Sequence, residues 1–271
     1  MLTEPKTSVS SNIRHNKGGV LAKQTDSGIT WGPWSALSVV VIVFLIAQIV
    51  AEEIMLIYPR FHSWSQSVGS NWLQNSVYAQ FFYVLLAELF TVSLIFGFIY
   101  WRKGKLRSLG LKRLNIIDIP YALTGLVIYY PAYILAALVA GWLLGVNLNQ
   151  TQSVGFSGSY SGWQLFVVFI SLVVLPPVAE EIMFRGFLFS GLKKKLPIIW
   201  AALFTSLLFA VPHLLESGGG GLLWIAGIDT FILSMVLCWL RQATGRLYAG
   251  MGLHALKNFI AFATLYLLHA R

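Results

Sequence analysis

Seven stretches of mostly apolar residues, each near 20 residues long or longer, alternate with short polar segments along this chain. A helix needs about 20 such residues to cross ~30 Å of hydrocarbon, so the pattern predicts membrane-spanning helices. In lipid, one segment satisfies all of its own backbone polar groups only as a helix. We therefore predict an all-α, polytopic membrane helical bundle with about seven spans, at residues 34–57, 77–101, 119–145, 163–190, 197–214, 222–240 and 247–268.

The composition agrees with this assignment and excludes several other classes. The chain is 57% hydrophobic and only 11% charged, whereas a soluble domain carries about 25% charged residues. Its one cysteine, Cys238, excludes a disulfide framework and a cysteine-based metal site. The polar residues 1–30 lack hydrophobic periodicity, and we interpret them as a disordered cytosolic tail. Residues 31–271 are then a single transmembrane helical domain.

The basic residues predict the orientation of the spans. Lys and Arg are concentrated in the tail and in the segments that follow spans 2, 4 and 6, whereas the alternate loops hold almost none. Cytoplasmic loops carry such an excess, so the N-terminus is predicted inside and the C-terminus outside. The net charge of +9 is explained by this topology, and no nucleic acid is expected as a partner. We expect a multi-pass integral protein of a bacterial plasma membrane, surrounded by the lipid bilayer.

The hexamer VAEEIM occurs twice, at 50–55 and at 178–183. The first copy lies at the outer end of span 1, where its glutamates reach headgroups and water. The nearest following cation is Arg60, which comes after a proline. We interpret Glu52 and Glu53 as interfacial residues, with a gating or substrate-contact role as the alternative.

The second copy has features that predict a polar cavity inside the membrane. Glu181 and Arg185 are four residues apart, the favoured spacing for an ion pair on one helix face. Glu180 is rotated ~100° from Glu181, so the arginine does not serve it equally. Pro176 and Pro177 break the helix one turn upstream and free backbone groups that must face protein or water. The alternative is a network that only holds the helices together.

Two further polar elements follow on the next spans. His213, in FAVPH, lies about as far after the turn near 195–197 as Glu180 lies before it. In an antiparallel hairpin both residues are then at one depth, on the order of 25 Å from the turn. His254 and Asn258 are four apart and share a helix face, where a histidine and an amide can donate hydrogen bonds to a developing oxyanion. Hydrogen bonding between helices is the alternative role for this pair.

Three motifs in order, EExxxR at Glu180 to Arg185, FxxxH at Phe209 to His213 and HxxxN at His254 to Asn258, resemble those of the CPBP intramembrane proteases. This family includes type II CAAX prenyl endopeptidases and bacterial proteins linked to bacteriocin self-immunity and peptide processing. The resemblance covers the four C-terminal spans, about residues 163–268, as a catalytic core.

The resemblance implies roles for the motif residues. Glu180 would be the general base that activates a water, assisted by His213, while His254 and Asn258 would stabilise the oxyanion. Glu181 and Arg185 would support the base. We favour a site without a cofactor. Zinc, held by Glu180, His213 and His254, is the alternative, although HExxH is absent.

The expected activity is that of an intramembrane endopeptidase acting on peptides or membrane proteins, in CAAX-type processing, bacteriocin or peptide maturation, or self-immunity. One alternative is a catalytically idle scaffold or immunity protein that binds a peptide or a membrane partner. Another is a transporter in which Glu88, Asp229 and Lys257 relay protons, although no inverted repeat supports it.

Overall fold

The structure, a computed structural model, describes residues 28–150, 155–156, 158–215 and 221–268. This part of the chain is helical, and no strand occurs in it. The tail prediction for residues 1–27 lies outside the described residues. Eight helices are numbered here in chain order: α1 Pro33–Phe61, α2 Gln66–Asn75, α3 Val77–Trp101, α4 Asp118–Leu144, α5 Trp163–Leu192, α6 Ile198–His213, α7 Trp224–Thr244 and α8 Tyr248–Leu268.

The helix lengths confirm the predicted membrane bundle. Six helices, all except α2 and α6, are long and apolar enough to cross a membrane. The seventh apolar helix, α6, has 16 residues, so it is about 24 Å long and ends where the predicted fifth span ends. About seven apolar membrane helices therefore follow the predicted spans closely, and the protein is an integral multi-pass membrane protein.

Local sequence signals explain where several helices begin and end. α1 begins with Pro33, whose missing N–H costs nothing in a first turn. The Ser76 hydroxyl accepts a hydrogen bond from the Ala79 amide and caps α3. α4 and α7 end at Gly145 and Gly245, which both adopt the left-handed conformation that glycine tolerates best. The hydrophobic pattern does not predict α2, because this helix lies in a polar segment without a long apolar run.

The helix packing places α5 and α8 at the centre. α3 lies between α1 and α5, while α8 packs against α4, α5 and α7. Towards the basic loops, the interior is filled by a large apolar cluster. There the Trp31 indole N–H donates to the Phe187 carbonyl at 3.0 Å, and the two rings stack with centroids 4.8 Å apart. This packing closes that end of the bundle and leaves space at the opposite end.

Candidate active site

α5 is irregular where it approaches the site. It changes from α-helical to π-helical hydrogen bonding at Ile170–Val174 and again at Glu181–Leu188. Pro176 has no N–H, so the carbonyl of Leu172, four residues earlier, loses its helical donor. The Asn258 side-chain amide donates to this carbonyl instead, at 2.9 Å. The carbonyl that loses its donor at the predicted proline break thus accepts a hydrogen bond from α8. This bond links α5 to α8.

Glu181 and Arg185 form the ion pair that their spacing predicts. The Arg185 Nη1 atom lies 2.7 Å from the Glu181 Oε1 atom, and both side chains are 0% exposed. The guanidinium also lies 4.3 Å from the centroid of the Phe209 ring, within cation–π range. The pair is therefore enclosed behind the site and does not line the cavity.

A glycine on α8 makes room for this pair. A Cβ atom at Gly250 would lie 2.8 Å from the Glu181 Oε2 atom, closer than any ordinary contact. The carboxylate consequently packs directly on the α8 backbone, one turn before His254. The three sequence motifs do not include this glycine, which contacts the site through Glu181.

His254 lies between the two adjacent glutamates of α5. Its Nδ1 atom is 3.4 Å from Glu181 Oε1, and its Nε2 atom is 3.7 Å from Glu180 Oε2. The ring is 5% exposed. Since 3.7 Å is too long for a hydrogen bond, Nε2 and the Glu180 carboxylate face each other across a narrow gap. The imidazole and the carboxylate can thus act on the same small molecule or group.

His213 approaches from the end of α6. Its Nδ1 atom lies 3.0 Å from the Phe209 carbonyl oxygen. A carbonyl only accepts, so this nitrogen carries the proton and Nε2 is the basic nitrogen of the neutral ring. Phe209 also packs against His213 and His254, with ring centroids 5.2 and 5.9 Å away. The phenylalanine of FxxxH is therefore the packing centre that holds two histidines and the arginine.

The four residues predicted to act in catalysis line one cavity of about 590 Å³. They come from three helices, and the cavity brings together Glu180, His213, His254 and Asn258. The Glu180 side chain is 23% exposed, so it is accessible from the cavity. The three sequence motifs therefore converge, although their relative rotation could not be read from the sequence.

The opposite wall of the cavity contains residues that the motifs did not identify. Glu52, Tyr83 and Glu88 line it from α1 and α3. The interfacial interpretation of Glu52 is thus incomplete, because this residue of the first hexamer faces the same cavity as Glu180 of the second. Glu53, its neighbour, points elsewhere and pairs with Arg60 at 2.8 Å. Glu53 and Arg60 are seven residues apart, which is about two helical turns, so they share a helix face. This spacing is the sequence signal that distinguishes Glu53 from Glu52.

Lys257 also lines the cavity, next to Asn258. Its Nζ atom lies 2.8 Å from Asp229 Oδ2, and Asp229 in turn accepts a hydrogen bond from the Tyr129 hydroxyl. Asp229 is therefore the ion-pair partner of Lys257. This chain of polar contacts joins α4, α7 and α8 beside the site.

Zinc was the alternative for the same residues. Within the described ranges, no group of three or more His, Cys, Asp and Glu side chains is arranged to hold a metal ion. Glu180, His213 and His254 share a cavity without forming such a group. Cys238 is buried away from the cavity lining.

Residues 162–260 match the family model described as Rce1-like, type II CAAX prenyl endopeptidase Rce1-like. The matched segment contains all three motifs and confirms the resemblance that they predicted. It supports an intramembrane endopeptidase of the CAAX type. No curated protein and no solved structure matches the chain.

Proposed function

We propose that this chain, Rce1-like over residues 162–260, is an intramembrane endopeptidase in which Glu180 activates a water molecule to hydrolyse a peptide bond. The observation that carries this proposal is the convergence of Glu180, His213, His254 and Asn258 on one cavity inside an apolar bundle. Ionisable residues are costly in such surroundings and are characteristic of function.

Hydrolysis begins with the Glu180 carboxylate, which takes a proton from a water in the cavity, with the basic Nε2 of His213 assisting in orienting that water. The resulting hydroxide attacks the carbonyl carbon of the substrate, and a carbon–oxygen bond forms. The tetrahedral intermediate then breaks the carbon–nitrogen bond, and the leaving amine takes the proton that Glu180 holds. The carboxylate is regenerated, so protons and electrons balance.

The oxyanion is stabilised by donors on α8. The His254 ring lies between the Glu181 carboxylate, near Nδ1, and the Glu180 carboxylate, near Nε2. As an imidazolium it carries a proton on both nitrogens, so Nε2 donates to the oxyanion while Nδ1 faces Glu181. Asn258 uses one amide hydrogen on the Leu172 carbonyl, and its second hydrogen supplies the other donor. Donors fixed before the reaction need no reorganisation as the charge develops, which is the main advantage of such a site.

Glu181 and Arg185 act through His254 in this proposal. The Glu181 carboxylate fixes the histidine ring, much as a buried acid orients a histidine in other hydrolases. Arg185 neutralises that carboxylate, so that it remains ordered in an apolar interior. Both are positioning residues, since neither lines the cavity.

The substrate belongs to the class of peptides or membrane-associated chains. CAAX-type processing, bacteriocin or peptide maturation and self-immunity are specific forms of this proposal. The competing function is a scaffold or immunity protein that binds through the same cavity without cleaving.

The test uses the full chain purified in detergent and a random peptide library, with cleavage products identified by mass spectrometry. We expect the wild type to cleave and Glu180→Gln to lose at least a hundredfold in rate, because the general base is removed. Glu53→Gln is the matched control, since Glu53 pairs with Arg60 and faces away from the cavity. Equal inactivity of wild type and Glu180→Gln, with an unchanged cellular phenotype, would favour the scaffold.

Metal dependence is tested on the same preparation. The proposed mechanism predicts unchanged cleavage after treatment with a strong zinc chelator and removal of the chelator. Loss of cleavage that added zinc restores would replace the metal-free mechanism with the zinc alternative.

A further inference from the structure

The described residues that line the cavity lie towards one end of the bundle, which we call the open end, and the end filled by the large apolar cluster is the closed end. The outer lining of the cavity comes from α2, through residues such as Ser70 and Gln74, and from Gly155 and Phe156 before α5. His213, at the end of α6, lines it at the same end. None of the described residues in the loops at 102–117, 193–197 and 245–247 contributes to the lining.

This open end holds few basic residues, and Arg60, at the end of α1, is paired with Glu53. The loops at the closed end hold most of the Lys and Arg of the chain, including the run at 193–195. The segment 62–76, which contains α2, holds none. By the positive-inside rule, the closed end faces the cytoplasm and the cavity opens to the opposite face of the membrane.

The wall formed by α1 and α3 is acidic and has no cation of its own. Glu52 and Glu88 line it, and neither makes a hydrogen bond or an ion pair with any residue in the described part of the chain. Tyr83, between them on this wall, donates its hydroxyl hydrogen to Gln48 at 2.6 Å. Glu88 is partly buried near the middle of α3 and lines the same cavity as Glu180.

The Lys and Arg side chains near this wall already form ion pairs with other carboxylates. Arg185 pairs with Glu181, Lys257 pairs with Asp229, and Arg60 pairs with Glu53. Glu52 is exposed at the mouth of the cavity, whereas Glu88 is partly buried. A carboxylate without a cation at the position of Glu88 is unfavourable, because an unpaired charge away from bulk water is costly. A cationic group that enters the cavity would lower this cost, so the wall favours a positively charged ligand.

We propose that the cavity receives a basic peptide segment from the membrane face opposite the Lys/Arg-rich loops, and that Glu52 and Glu88 bind its Lys or Arg side chain beside the scissile bond. The cleavage step in this proposal rests on the proposed function, whereas the binding of the basic segment does not. The wall lies on α1 and α3, outside the matched segment 162–260, so it supplies specificity from a part of the chain that the catalytic motifs do not reach.

Binding is measured with two fluorescent nonapeptides of Ala and Leu that differ only in a central Lys-Lys or Gln-Gln pair. The protein is held in nanodiscs of uncharged phosphatidylcholine, so that the basic peptide is not attracted to lipid. The protein carries Glu180→Ala, which prevents cleavage. We expect the Lys peptide to bind about tenfold more tightly than the Gln peptide, the effect of one partly buried charge pair.

Single substitutions in the acidic wall test which residues cause the preference for the Lys peptide. Glu52→Gln and Glu88→Gln, each added to Glu180→Ala, should reduce the tenfold preference to about twofold or less, while Glu53→Gln should preserve it. The neighbouring pair at 52 and 53 is a matched control, because the two share composition and depth but only Glu52 lines the cavity. Equal binding of both peptides, or a preference that survives both Glu52→Gln and Glu88→Gln, overturns the proposal.

The direction of entry is measured by thiol labelling in intact cells. The native Cys238 is buried, so it gives little background. We expect Gln74→Cys to react with a membrane-impermeant maleimide from outside, and Lys105→Cys to react only after permeabilisation. If Lys105→Cys reacts from outside and Gln74→Cys only after permeabilisation, the proposed direction of peptide entry is wrong. Charge-selective binding without any cleavage by the wild type refutes the proposed endopeptidase but not the basic-peptide site.

Discussion

The buried pair Glu181–Arg185 gives the most quantitative prediction. Its charged atoms lie 2.7 Å apart and both side chains are 0% exposed. Arg185→Met removes the cation and leaves the carboxylate in a low-dielectric interior. Breaking a buried pair on one side costs about 3–5 kcal/mol, because the remaining charge is uncompensated. We expect the midpoint of thermal unfolding to fall on the order of 10 °C.

The double variant Glu181→Gln/Arg185→Met removes both charges and keeps the volumes similar. Replacing both partners of a buried pair is often close to neutral, so the double variant should recover most of the lost stability. The assay heats the detergent-purified proteins and measures the fraction that stays monodisperse by size-exclusion chromatography. If the single and double variants lose stability equally, the cost does not come from an uncompensated charge.

The same double variant separates stability from activity. Without the Glu181 carboxylate next to Nδ1, the His254 ring is no longer fixed, and kcat should fall about tenfold or more with little change in KM. Full activity in a stable double variant would refute the positioning role of Glu181.

Two further substitutions test the packing around the site. Gly250→Ala places a methyl group 2.8 Å from Glu181 Oε2 and should lower kcat, while Gly97→Ala, where nothing lies within 4 Å, should leave cleavage and the unfolding midpoint almost unchanged. Equal behaviour of the two alanine variants would show that the close approach is unimportant. Asn258→Leu leaves the Leu172 carbonyl without its donor and should cost about 1–3 kcal/mol, measured by the unfolding midpoint. No loss of stability would indicate that another group satisfies this carbonyl.

The spans and the motifs could be predicted because they depend on local chemistry. The apolar run lengths predicted the helices closely, since a bilayer of nearly constant thickness selects for length. The EExxxR spacing predicted the pair of Glu181 with Arg185 for a similar reason, because four residues complete about one turn. α2 was missed because Gln66–Asn75 is polar and short, and its apolar residues cover no long face.

The sequence motifs identified the site residues, but they did not show which of these residues contact one another across helices. His254 contacts both glutamates of α5, which no spacing within one helix reveals. Asn258 has a role that the motif did not suggest, since it replaces the donor lost at Pro176. The roles of both residues in catalysis stay predictions that the kinetic experiments test.

The sequence by itself determined a helical membrane bundle, its predicted orientation and the three motifs, because hydrophobic length, charge asymmetry and helical spacing are properties of single segments. Only the tertiary structure decided which glutamate of each VAEEIM hexamer lines the cavity. Glu52 and Glu180 line the same cavity, whereas Glu53 turns to Arg60 and Glu181 to Arg185. The reason is geometric: adjacent residues on a helix point ~100° apart, and only the packing of helices determines which direction meets a cavity.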